Sequence, residues 1–126
     1  MEIRIVEANN LRNAATELKQ SGFRLLLVSG VDWVQKSNTY EALYHFSKVC
    51  GPDLVLLKVS VPADDPKVPS IADIFGLADW HERETYDLLG ITFEGHPNLA
   101  RIFLPDDFKG HPLKKDFIAY KRMLPG

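Results

Sequence analysis

The stretch Thr39-Tyr40-Glu41-Ala42-Leu43-Tyr44-His45-Phe46-Ser47-Lys48-Val49 decides the fold. Tyr40, Leu43, Tyr44 and Phe46 can be set at helical spacing, whereas Tyr40, Ala42, Tyr44 and Phe46 alternate as in a strand. Aromatic side chains suit a pleated, half-buried surface, and the run is short; both features favour the strand. Gly51-Pro52-Asp53 then reads as a turn, and Leu54-Val55-Leu56-Leu57-Lys58-Val59-Ser60-Val61 is the clearest strand of the chain. Upstream, Phe23 to Val28 predicts another strand, ending at Ser29-Gly30. Asp32-Trp33 follows that turn, and Lys36-Ser37-Asn38 makes a polar loop. Consecutive strands on short connections predict an α+β fold: a small antiparallel or mixed sheet with a helix packed on one face.

That N-terminal helix is legible in Leu11, Ala14, Ala15 and Leu18. Asn9 or Asn10 is its expected cap and Ser21-Gly22 its stop. After the last strand, Pro62-Ala63-Asp64-Asp65-Pro66-Lys67-Val68-Pro69 reads as a loop, because proline brings no amide donor to a ladder. Ser70 can cap a short helix with Asp73 in its first turn and Gly76 at its end. Asp79 to Leu89 predicts a second, acidic helix stopped by Gly90. Leu77, Trp80, Glu84 and Leu88 recur at spacings of three and four, which puts Glu84 on or beside an apolar stripe. Asp79, Arg83 and Asp87 form a charge ladder at i, i+4 and i+8.

The chain has 126 residues, 45% hydrophobic and 25% charged, as expected for one globular domain. A net charge of −2 argues against nonspecific nucleic-acid binding. No apolar run is long enough to span a membrane and the start does not read as a signal peptide, which predicts a cytosolic or cytosol-facing chain. Cys50, the single cysteine, excludes an internal disulfide and a cysteine metal cluster. Charge is unevenly spread: acids dominate from Asp79 to Asp107, and Lys109, Lys114, Lys115, Lys121 and Arg122 dominate thereafter. The two blocks can pair within the chain or with a partner.

Trp80-His81-Glu82-Arg83-Glu84-Thr85-Tyr86-Asp87 concentrates ionisable groups, and Gly-His-Pro follows twice, at Gly95-His96-Pro97 and Gly110-His111-Pro112. Zinc hydrolases place two histidines four residues apart on one helical face. His81 has only Thr85 at that spacing. A metal set of His81 with Glu84 or Thr85, His96 and His111 remains open, as does acid–base work by Glu84 and Asp87. A carboxylate beside an apolar stripe needs a cation or several donors, and Arg101, Lys114 and Lys115 are available. A residue before proline is driven to extended backbone, so each Gly-His-Pro fixes the direction of its imidazole.

Glu82-Arg83-Glu84-x-x-Asp87-Leu88-Leu89-Gly90-Ile91-x-Phe93-x-Gly95-His96-Pro97-x-Leu99, then Arg101-Ile102-Phe103-x-Pro105-x-Asp107-Phe108-x-Gly110-His111-Pro112-Leu113 and Lys115-Asp116-Phe117, resembles the signature of the thirty-kilodalton subunit of respiratory complex I. This is the C subunit of bacterial NADH–quinone oxidoreductase. Pro69 to Ile74 and Ala78-Asp79-Trp80 are similar to that family as well. Ala100, Lys114 and Phe108 depart from residues common there, and Lys114 lacks the planar fork of arginine. These departures keep related subunits of energy-converting nickel–iron hydrogenases and deazaflavin-dependent dehydrogenases in view.

The resemblance implies a non-catalytic peripheral-arm subunit with no cofactor of its own. It would dock on the forty-nine-kilodalton type of quinone-site subunit or on a hydrogenase-like large subunit, beside other hydrophilic-arm subunits. Iron–sulfur clusters and a flavin or nickel–iron centre would lie on those partners. The chain would reach the membrane only through the complex, on its cytoplasmic face. Residues 1–126 would form one domain: a helix and sheet core over 1–61, a proline-rich loop and short helix over 62–78, and a signature helix with docking tail over 79–126. The expected contact residues are Trp80, Glu82, Arg83, Glu84, Asp87, Gly95, His96, Pro97, Arg101, Gly110, His111, Pro112, Lys114, Lys115, Asp116 and Phe117. A stand-alone metal-dependent enzyme and a regulatory module are the competing classes.

Overall fold

The computed structural model describes residues 1–97. β3 runs from Thr39 to Lys48, and its residues alternate in burial from Thr39 to Phe46. Tyr40, Ala42, Tyr44 and Phe46 point into the core, so the alternation, not the helical spacing, describes this stretch. β2 (Phe23–Asp32) and β4 (Leu54–Pro62) flank it, both antiparallel. A further strand, β1 (Glu2–Ile5), adds to β4 in parallel and gives a mixed sheet of order β1-β4-β3-β2.

β2 continues past the expected stop at Ser29-Gly30 and ends at Asp32. The reason lies across the layer. A Cβ on Gly30 would stand 2.5 Å from Leu89 Cδ1 and 3.2 Å from Thr85 Cγ2. Gly30 thus lets a helix approach the strand closely, a role that glycine serves inside strands as readily as it ends them. Asp32 Oδ1 then accepts the Val34 amide at 2.9 Å. That bond opens α2 (Val34–Ser37), a single turn occupying part of the expected polar loop and closed by Asn38 in the left-handed region.

α1 (Leu11–Gln20) lies against the sheet through Leu11, Ala15 and Leu18. A 3-10 turn, Ala8–Asn10, precedes it, and Asn10 makes no side-chain capping bond, unlike the expected cap. Gly22, at φ +86, provides the helix stop and the turn into β2.

The proline-rich segment corrects a further expectation, since Lys67–Pro69 forms β5 and pairs in parallel with β6 (Thr92–Glu94). Proline is tolerated because this pair is a two-stranded edge outside the main sheet. Residues 70–77 form turns rather than the expected short helix. α3 (Ala78–Leu89) closes on Gly90 at φ +86 as expected.

The phase of α3 differs from the expected stripe. Ala78, Glu82, Thr85 and Leu89 face the core, while Leu77 and Trp80 are 47% and 48% exposed. The largest apolar residues mark the wrong face. With Gly30 beneath it, this helix packs through Ala78, Glu82 and Thr85 and, in its last turn, Leu89. Both long helices and the β5–β6 pair cover one face of the sheet, over a core that includes Tyr44, Phe46, Ile71, Phe75, Ile91 and Phe93.

Candidate functional site

Glu82, rather than Glu84, is the carboxylate that α3 carries into the interior. Its exposure is 0%, whereas Glu84 is half-buried. Ser70 Oγ donates to Glu82 Oε1 at 2.6 Å, and the Ile71 amide donates to Oε2 at 2.9 Å. Two donors onto one buried carboxylate supply what burial of a charge requires. Burial still raises its pKa, against the lowering effect of those two bonds. The expected cationic partners Arg101, Lys114 and Lys115 lie outside the described residues, and the donors observed here are a hydroxyl and an amide.

Ser70 is bonded through all of its polar groups. Its amide donates to Glu94 O of β6 at 2.8 Å, and its carbonyl accepts from Arg12 Nη1 of α1 at 2.7 Å. Its hydroxyl also accepts the Ala72 amide at 3.1 Å, which gives Ser70 a local capping role in a turn. Arg12 grips Asp73 with both terminal nitrogens, at 2.8 and 2.7 Å, and Lys19 Nζ donates to Ile74 O at 2.6 Å. The 70–74 turn is thereby tied to α1, α3 and β6 at once.

The first Gly-His-Pro corner belongs to the same cluster. Gly95 sits at φ +82 and the His96 imidazole is fully buried. His96 Nε2 lies 3.0 Å from Asp79 O, 3.0 Å from Asp79 Oδ1 and 4.0 Å from Glu82 Oε1. A carbonyl oxygen only accepts, so Nε2 carries the proton and donates to it. The carboxylate Oδ1 lies close but makes no aligned bond, and the contact there is electrostatic.

Asp79 therefore turns to His96, and the Arg83 guanidinium lies over the Trp80 ring at 6.0 Å. Asp87 is fully buried. The i, i+4, i+8 ladder thus sends its members to different surroundings. Among the described residues, no group of three His, Cys, Asp or Glu side chains could hold a metal ion. Of the expected contact residues, Trp80, Glu82, Arg83, Glu84, Asp87, Gly95, His96 and Pro97 are described. Arg101, Gly110, His111, Pro112, Lys114, Lys115, Asp116 and Phe117 lie outside the described residues. Sequence reasoning misses Arg12 and Ile71 as members of this network. It finds Ser70 only as a cap, because no periodic signal ties that serine to a glutamate twelve residues on.

Fold and site define a two-layer α+β protein whose acidic signature helix is wired into the turns around it. The family model for the respiratory-chain NADH dehydrogenase 30 Kd subunit matches residues 4–122, and the chain belongs to that family. The C subunit of NADH-quinone oxidoreductase from Streptomyces coelicolor is 39% identical over 117 residues, covering 89% of this chain and 47% of the relative. Its counterpart from Nocardioides sp. is 46% identical over 91 residues, covering 71% of this chain and 36% of the relative. The chain spans less than half the length of these curated relatives.

Among solved structures, the trypsin-resistant fragment of Nqo5 aligns with a TM-score of 0.71 at 29% identity, over 77% of this chain and 81% of that one. A chain of the membrane-bound sulfane sulfur reductase, an archaeal respiratory membrane complex, aligns with a TM-score of 0.82 at 28% identity. That alignment covers 95% of this chain and 74% of the other. No helix among the described residues is long and apolar enough to cross a membrane.

Proposed function

We propose that this protein is a structural and assembly subunit in the peripheral arm of a membrane-bound NADH–quinone oxidoreductase. In this reading it docks on the forty-nine-kilodalton type of quinone-site subunit and holds no catalytic centre. Electrons pass through iron–sulfur clusters and a flavin on the partner subunits, and the chain meets the membrane's cytoplasmic face only through them. The observation that carries the reading is the 39% identity to an NADH-quinone oxidoreductase relative across 89% of this chain. The use of Glu82 supports it: this signature acid spends both oxygens on Ser70 and Ile71, which suits a scaffold.

Of the expected contact residues, Trp80, Gly95 and Pro97 are exposed and Arg83 and Glu84 half-buried, and in this reading they face the partner while buried Glu82, Asp87 and the His96 imidazole hold α3 in place. The residues from Gly110 onward would supply the rest of the contact. Co-purification of the tagged chain with a quinone-site subunit of that type tests the assignment. Removing residues from Gly110 onward should abolish that association, and undiminished recovery would refute the role given to the tail.

A second reading places the chain in a hydrogenase-type or other membrane-bound respiratory complex, on a hydrogenase-like large subunit. The more complete alignment to the archaeal sulfane sulfur reductase chain favours it. The identity of the co-purifying large subunit, and whether it holds nickel, separates the two.

A further inference from the structure

Helices and the β5–β6 pair cover one face of the main sheet, and among the described residues none of these elements lies on the opposite face. The register shows what it displays. Leu27 pairs with His45, His45 with Leu56 and Leu56 with Ile3, so one row crosses all four strands, with Leu27 and Ile3 exposed, His45 half-buried and Leu56 buried. The next row runs Ser29, Leu43, Lys58 and Ile5. Leu54, opposite Ser47, extends the patch. An antiparallel sheet with one solvated face is expected to be polar there. Here Ile3, Ile5 and Leu54 stand 56%, 87% and 40% exposed. Exposed Ile and Leu side chains gathered on one sheet face, with charged neighbours, suit a contact surface.

We propose that this opposite face is a second docking surface, fitted to a partner subunit whose apolar patch has an acidic margin. The inference rests on reading the chain as a subunit of a complex. Charge selects the occupant. Arg24 and Lys58 lie on this face, and Glu41 is the acid among the residues in register with them. A second copy laid face to face would bring two such pairs of cations together with only two glutamates to answer them. An acidic-rimmed partner meets both cations and covers the Ile and Leu side chains. The face is distinct from the α3 side, where Glu82 and His96 lie.

The test uses the full tagged chain expressed with its complex. Leu27→Glu combined with Leu54→Glu places charges at exposed positions, and Arg24→Glu combined with Lys58→Glu reverses the margin. Recovery of the other subunits, identified by mass spectrometry, should fall roughly tenfold or more in either variant, while the melting temperature of the isolated chain holds. Undiminished recovery in both variants overturns the proposal and leaves the subunit reading standing. A wild-type dimer of the isolated chain that Leu27→Glu with Leu54→Glu makes monomeric also overturns it, because a second copy is then the occupant. Wild-type chain that recovers no other subunit defeats the subunit reading, and this proposal with it.

Discussion

The Glu82 carboxylate and the Ser70 hydroxyl, twelve residues apart in sequence, meet at 2.6 Å with the glutamate fully buried. Replacing the acid with Glu82→Gln keeps the shape but turns an amide group toward the Ser70 hydroxyl and the Ile71 amide. One buried donor then loses its acceptor, and the loss should cost about 1–3 kcal/mol in chemical denaturation. Ser70→Ala should destabilise by a comparable amount, and the double variant by less than the sum, because the two residues share one bond. Additive losses would contradict the pairing.

The pH dependence of this bond has a definite sign. The Glu82 pKa is raised above its ordinary value of 4.5, with burial the main cause. The folded state therefore holds this proton more tightly than the unfolded chain. Its contribution to stability is full below 4.5 and is lost as pH rises through the elevated folded value. The stability of the wild type relative to Glu82→Gln should fall over that rise in pH.

Asp73 behaves oppositely. Its bond to the Arg12 guanidinium holds its pKa below the ordinary 3.8. Its contribution is present above 3.8 and disappears as pH falls through the depressed folded value. Both side chains are substantially exposed, so Asp73→Asn should cost under about 1 kcal/mol near neutral pH. Denaturation curves of the two proteins should converge in acid.

Gly30 and Leu89 form a close approach between β2 and α3. Gly30→Val should destabilise by about 1–3 kcal/mol through overpacking. Gly30→Ala should cost less, since the nearest atom is a terminal methyl of Leu89. Leu89→Ala should relieve the Gly30→Val penalty in part, which a double-mutant cycle in urea measures.

Much of the fold is legible in the sequence because strands and turns announce themselves locally. The alternation of Tyr40, Ala42, Tyr44 and Phe46 and the glycines at 22 and 90 need no knowledge of their surroundings. β1, β5 and β6 are short and owe their pairing to distant strands, so no local pattern identifies them. The phase of α3 escapes for a similar reason. Trp80 and Leu77 look like core residues, yet the approach allowed by Gly30 selects the face bearing Ala78, Glu82 and Thr85. The apolar stripe therefore places the buried acid two residues too late, on Glu84. Its true partner, Ser70, is reached only through the turn that Arg12 and Lys19 hold down.

The proposed role of the signature helix in assembly rather than chemistry is tested by Glu82→Gln and Glu84→Gln within the whole complex. Assembled complex is quantified in membranes, and turnover is measured per assembled complex. Glu82→Gln should give less assembled complex, with turnover per complex unchanged in both variants. A fully assembled complex whose turnover collapses in either variant would contradict it.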